Sequence, residues 1–93
     1  MRIPKIASIQ KAVEIYYCNL TLGTKEIREL FGGIGHDKIR ELKNAARAQM
    51  EADEVPYFGG WEVSTISAYK AWNLNINELT ERYKAVQKYR LGG

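Results

Sequence analysis

The chain has 93 residues, of which 45% are hydrophobic and 27% charged, and its formal net charge is +3. This size suits one domain that buries roughly 60–65% of the extended chain's surface, and the composition excludes a disordered polymer. The single Cys18 excludes an internal disulfide framework, and no apolar run is long enough to span a bilayer.

Charge is unevenly distributed along the chain. Residues 24–50 carry six Lys or Arg and four Asp or Glu side chains. Residues 70–90 carry five Lys or Arg and two Asp or Glu side chains. Residues 51–62 carry only acidic ones, namely Glu51, Asp53, Glu54 and Glu62. This pattern favours a polyanionic partner weakly and argues against a uniformly basic surface.

The N-terminal region predicts an amphipathic helix over residues 6–20. Its apolar side chains recur at helical spacing: Ile6, Ile9, Val13, Tyr16 and Leu20. The first five residues lead directly into this helix without a signal-peptide pattern, so we expect a cytoplasmic protein with no membrane association.

Residues 24–50 predict a short helix, a glycine-rich corner and a longer helix. Thr24 is the expected N-cap of the first helix, and Gly32–Gly35 supply the backbone freedom that a sharp corner needs. Two apolar stripes face the core: Ile27, Leu30 and Phe31 on the first helix, and Ile39, Leu42, Ala46 and Met50 on the second. Two helices joined in this way indicate a helix-turn-helix.

The remaining segments predict a small hairpin and two helices. Gly59-Gly60, between β-prone and aromatic residues, indicates a two-residue turn in a hairpin over residues 55–63. Ser64 or Thr65 caps the next helix, with Ile66, Tyr69 and Trp72 as its apolar candidates. Asn75 or Asn77 begins a last helix in which Leu79, Tyr83 and Val86 face inward, so that the C-terminal helices occupy residues 64–91.

Catalysis has few suitable side chains in this sequence. There is one histidine, one cysteine and no carboxylate pair that the spacing brings together. The glycine cluster lacks the phosphate-loop pattern and follows no predicted strand. We therefore expect no enzyme, no cofactor, no metal site and no small-molecule substrate.

The outward face of the second helix is the most informative surface. With 100° per residue, the outward residues are Asp37, Arg40, Glu41, Asn44 and Ala48, with His36 and Arg47 on one flank and Lys38 on the other. Arginine pairs with guanine and asparagine with adenine in the major groove, and a small alanine allows close approach. The alternative is a solvated face of salt bridges such as Asp37–Arg40, and the acidic side chains weaken binding to phosphates.

Two motifs carry a resemblance to a known family. Gly33-Ile34-Gly35-x-x-x-Ile39-x-x-Leu42 resembles the turn and recognition helix of helix-turn-helix proteins. Together with Glu54–Trp72, EVPYFGGWEVSTISAYKAW, it is similar to the winged MerR/excisionase-type domain over residues 24–72. The resemblance implies a mainly α, single winged helix-turn-helix domain over residues 1–93, with four to five helices and a hairpin wing. It also implies a sequence-specific double-stranded DNA-binding protein, either a transcriptional regulator or an excisionase-like recombination factor of phage or mobile-element type, located at the nucleoid or in a phage-infected cell.

The expected contacts follow from this placement. We expect Arg40, Asn44 and Arg47 to read bases and His36 to flank them, whereas the expected phosphate contacts are Lys25, Arg28, Lys38 and Lys43. Tyr57, Gly59 and Gly60 are expected at the wing, with Trp61 as a hydrophobic lid. The resemblance also implies a homodimer through the C-terminal helix. The alternatives are a protein-interaction module that uses the acidic residues 51–54 and the terminal aromatic side chains, and a DNA-packaging recognition subunit.

Overall fold

A computed structural model describes residues 2–92 of the chain. It is mainly helical, as the sequence predicts, with a small two-stranded antiparallel sheet. In chain order the elements are α1 (Ile9–Cys18), β1 (Thr21–Leu22), α2 (Thr24–Phe31), α3 (His36–Ala52), β2 (Val63–Ser64), α4 (Thr65–Ala71) and α5 (Ile76–Gly92). A single 3-10 turn over Gly59–Trp61 precedes β2.

Helix α1 is shorter than predicted at both ends. Ser8 is its N-cap, because the Ser8 hydroxyl accepts a hydrogen bond from the Lys11 N–H at 2.9 Å. At the other end Asn19 is extended (φ −133°, ψ 127°), so the chain leaves the helix before Leu20. Leu20 is 93% exposed, and its predicted place on the apolar stripe is wrong.

Helices α2 and α3 form the predicted pair around a tight corner. All seven residues of the two predicted stripes are buried. The predicted cap of α2 is wrong by one residue: Gly23 is the N-cap, and its N–H donates to the Glu26 carboxylate at 2.9 Å. Thr24 lies inside the helix, where its hydroxyl is free for another partner. Gly32 ends α2 with φ 75° and ψ 174°, which confirms a positive-φ residue in the corner.

Gly32→Ala is expected to lower the free energy of unfolding by about 1–3 kcal/mol, because only glycine adopts this backbone region without strain. Gly33 and Gly35 lie outside the positive-φ region, and an added Cβ at either meets no atom within 4 Å. Alanine at these two positions is therefore expected to be neutral or slightly stabilising. Thermal unfolding of the three variants checks this. A Gly32→Ala melting temperature equal to that of Gly33→Ala would contradict the assigned corner.

The sheet joins distant parts of the chain and corrects the predicted hairpin. Strand β2 pairs with β1, with Thr21 opposite Ser64 and Leu22 opposite Val63. The chain does turn at Gly60 and Trp61, both left-handed, but residues 55–58 form no strand. Pro56 has no N–H to give to a ladder, and the Tyr57 side chain contacts Arg47 and Glu51 of α3.

The core is centred on Tyr69 of α4 and on Trp72, the residue that ends this helix. Trp72 donates its indole N–H to the Leu42 carbonyl at 2.9 Å, and Tyr69 donates its hydroxyl to the Ala12 carbonyl at 2.6 Å. Both residues are buried as predicted, whereas Ile66 is exposed and its predicted inward position is wrong. Burial raises the pKa of Tyr69 well above its usual value. The predicted Ser64 cap is confirmed, because its hydroxyl accepts from the Ser67 N–H.

Helix α5 begins after Asn75, whose side-chain oxygen accepts from the Glu78 N–H at 3.1 Å. The helix packs on α1, and its Leu79 and Tyr83 are half-buried. Its last turns carry exposed Val86, Tyr89 and Leu91, so the predicted inward position of Val86 is wrong. Within residues 2–92, no helix combines the length and the apolar character that crossing a bilayer requires.

Candidate nucleic-acid interface

The outward face of α3 is accessible to a partner molecule. The five residues predicted to face outward are all exposed: Asp37, Arg40, Glu41, Asn44 and Ala48. Their exposure follows from burial of the opposite stripe, which fixes the rotation of α3 about its own axis. We call these five residues the outer face of α3.

Arg40 and Asn44 lie one helical turn apart on the outer face. Among residues 2–92, neither side chain forms a hydrogen bond or an ion pair with another residue. Among the described residues of α3, the predicted salt-bridged alternative is limited to one pair, between Lys38 on the flank and Glu41 on the outer face, at 3.3 Å. The Lys38 charge is thus partly neutralised, while that of Arg40 is available to a ligand.

Three further basic side chains lie on neighbouring turns. Lys25 and Arg28 are three residues apart on α2 and exposed, and no acidic side chain within the described part of the chain pairs with them. His36 is exposed at the first residue of α3. These positions suit contacts that orient a polyanion, because phosphate contacts need reach and charge rather than a fixed hydrogen-bond pattern.

Arg47 is held by aromatic side chains instead of lying open. Its guanidinium is 4.0 Å from the centre of the Tyr57 ring and 4.6 Å from that of Trp61. The Tyr57 hydroxyl donates to the Glu51 carboxylate, and this bond raises the pKa of Tyr57. We call Tyr57 and Trp61 the aromatic clamp. Arg47 is half-buried between these two rings, and its expected role as a base-reading side chain stays a prediction.

The segment of residues 53–62 lies beside α3 and differs from a basic wing. Its Gly59 and Gly60 are exposed with open space around them, so their backbone can approach a ligand. Trp61 is 50% exposed and covers Arg47 rather than the core, which corrects its expected position as a lid. Asp53 accepts hydrogen bonds from Gln49 and Ser67, and these bonds lower its pKa.

Lys43 lies inward beside α2, and its expected contact with a phosphate stays a prediction. The residue is only 8% exposed, and its ammonium donates to the Thr24 hydroxyl at 3.0 Å. The inward position of Lys43 could have been predicted from the sequence. Lys43 follows Ile39 by four residues and precedes Ala46 by three, so helical spacing includes it in the buried stripe.

Within residues 2–92, no three His, Cys, Asp or Glu side chains lie close enough together to hold a metal ion. Cys18 is exposed near the end of α1.

Comparison of the chain with protein-family models, with curated proteins and with solved structures found no match. The evidence for a function therefore comes from the side chains of this chain and their geometry.

Proposed function

We propose that the protein is a sequence-specific double-stranded DNA-binding protein with a winged helix-turn-helix domain of the MerR/excisionase type. The observation that carries the proposal is the pair Arg40 and Asn44, exposed and unengaged on α3. Helix α3 follows α2 directly across the corner at Gly32–Gly35, which is the arrangement in which a second helix enters the major groove.

Base recognition is assigned to the outer face of α3. Arg40 donates two hydrogen bonds to the O6 and N7 atoms of guanine, and Asn44 pairs in the same bidentate way with adenine. Ala48 carries no long side chain that would hold the helix away from the bases. Asp37 repels phosphates, but within the groove its carboxylate accepts a hydrogen bond from the cytosine N4 group. The outer face of α3 therefore carries side chains that can distinguish base sequences as well as attract the DNA electrostatically.

Orientation on the duplex is assigned to Lys25, Arg28 and His36. Lys25 and Arg28 extend from α2, which in this arrangement crosses the sugar-phosphate backbone. Lys38 contributes less to phosphate binding, because its ammonium already forms an ion pair with Glu41. The segment of residues 53–62 has no basic side chain, so its contribution is limited to backbone approach at Gly59 and Gly60.

The biological role that fits is a transcriptional regulator or an excisionase-like recombination factor in the cytoplasm. Such proteins commonly read two half-sites as dimers. The exposed Tyr89 and Leu91 at the end of α5 provide an apolar surface for a second copy of the chain. A homodimer through α5 belongs to the same proposal.

A protein-interaction module is the second candidate function. Tyr17, Leu20 and Ile66 are exposed large hydrophobic residues at the end of α1 and the start of α4. A hydrogen bond from the Thr65 N–H to the Leu20 carbonyl, at 3.1 Å, brings these two segments together. Exposed apolar side chains that adjoin one another favour a protein partner, and the salt dependence of binding separates this candidate from the first.

Binding to duplex DNA is expected to weaken strongly with salt. If Lys25 and Arg28 each neutralise one phosphate, the logarithm of affinity falls by about 1.8 per logarithm of salt, or roughly 12-fold from 50 to 200 mM. Fluorescence anisotropy with a labelled duplex measures this slope, after a random duplex pool has been selected for the preferred site. Lys25→Ala should lower the slope by about 0.9.

The matched control is Arg82→Ala on α5, where the arginine is already paired with Glu78 at 3.2 Å. It should leave both the slope and the affinity unchanged. A selection that enriches no sequence, together with binding that is absent or indifferent to salt, would exclude the DNA-binding proposal and favour the protein-interaction module.

A further inference from the structure

A small groove separates the start of α2 from the first turns of α3. Its volume is about 200 Å³, and it is lined by Thr24, His36, Ile39, Arg40, Lys43 and Trp61. Two of these six side chains, Arg40 and Lys43, are cationic, and none is acidic. We call it the cationic groove.

Lys43 has an unusual environment in the cationic groove. Its residue is 92% buried, yet no carboxylate lies within 4.0 Å of its ammonium among the described residues. The Thr24 hydroxyl is the acceptor that the protein provides. An ammonium group has three N–H donors, and burying its charge without a counter-ion costs free energy. The nearby Glu26 is already bonded to the Gly23 N–H.

An anion would complete this arrangement. The Thr24 oxygen accepts from Lys43, so its own O–H is available as a donor. Arg40 and His36 add N–H groups at the rim, and the Trp61 ring forms an apolar wall. Removing water from one side of a charged group such as the Lys43 ammonium strengthens its electrostatic interactions. Lysine binds a phosphate as a compact charge and does not require planar, two-pronged geometry.

We propose that the cationic groove is a phosphate-binding site, with the Lys43 ammonium and the Thr24 hydroxyl as its central donors. This identification of the ligand rests on the proposed function: the phosphate is one group of the backbone of the bound DNA. The buried stem of Lys43 is already ordered, so this contact loses less side-chain freedom on binding than an exposed lysine does. It therefore sets the position of Arg40 relative to the base edges.

Lys43→Met tests the site, because it keeps the apolar stem and removes the charge. The first measurement is the change in the Thr24 and His36 amide resonances on adding inorganic phosphate, against chloride at equal ionic strength. The second is the salt slope of duplex binding. In Lys43→Met we expect the phosphate-induced changes in the two amide resonances to disappear. We also expect the salt slope to fall by about 0.9, with an equal loss of affinity for the preferred and the scrambled duplex.

Lys11→Met on α1 is the control, because Lys11 is an exposed lysine that does not line the groove, and it should alter neither measurement. Lys43→Met should unfold at the same or a higher denaturant concentration than the wild type, because it removes a buried charge that has no counter-ion. If it fails to fold, Thr24→Val takes its place, since it removes the hydroxyl donor and leaves Lys43 present.

The outcomes separate the groove from the proposed function. If the wild type binds duplex DNA but Lys43→Met changes neither measurement, the groove is not a phosphate site and the proposed function stands. If the wild type binds no duplex while phosphate shifts the two amides in a Lys43-dependent way, the site accepts a free phosphate group and the assignment to DNA is wrong. A change in the salt slope identifies the backbone phosphate as the ligand.

Discussion

Trp72→Ala is expected to lower the free energy of unfolding by about 3–5 kcal/mol, as loss of a large core aromatic side chain does. Trp72 is 1% exposed and its ring packs edge-on against Phe31, with 5.4 Å between the ring centroids. The substitution also removes the N–H that bonds to the Leu42 carbonyl. Because small domains have only about 5–15 kcal/mol of stability, a large part of the protein's stability depends on this one side chain.

Denaturant unfolding followed by far-ultraviolet circular dichroism measures the effect, with the slope of free energy against denaturant as a check on two-state behaviour. Trp61→Ala is the matched control, because this tryptophan is half-exposed and contacts Arg47 outside the core. Its loss is expected to cost about 1 kcal/mol or less, the size of a partly exposed cation–π contact. Equal losses for the two variants would contradict the assignment of the core.

Arg40→Ala and Asn44→Ala are each expected to weaken binding to the preferred DNA site by about 1–3 kcal/mol, or roughly 5- to 150-fold. Each should also relax the choice of base at one position, because each side chain is assigned one base. Neither side chain contributes to the core, so the free energy of unfolding should change by less than about 0.5 kcal/mol.

Competition between the preferred and a scrambled duplex, at one salt concentration, measures the loss of discrimination. Lys25→Ala should weaken both duplexes equally, since a phosphate contact carries no sequence information. Arg82→Ala should weaken neither. If Arg40→Ala and Asn44→Ala fold normally and keep full discrimination, α3 does not read the bases.

Local patterns in the sequence determined the helices and the exposed side of α3. The stripe from Ile39 to Met50 is buried as its spacing predicts, and burial of one side leaves Arg40 and Asn44 exposed. The helix ends depended on single capping side chains, such as Ser64 and Asn75, which act within three residues of their own position. These features could be predicted because their causes lie within one or two helical turns.

The tertiary structure decided the features whose partners are distant in the chain. Residues 63–64 pair with β1, about forty residues earlier, and not with the segment across the glycine turn. Lys43 is buried because α2 brings the Thr24 hydroxyl to it, 19 residues away, although its position in the stripe was visible. Arg47 lies between two rings because residues 55–61 fold back onto α3. Helical periodicity describes which side of an element is apolar, whereas these contacts depend on how separate elements meet in three dimensions.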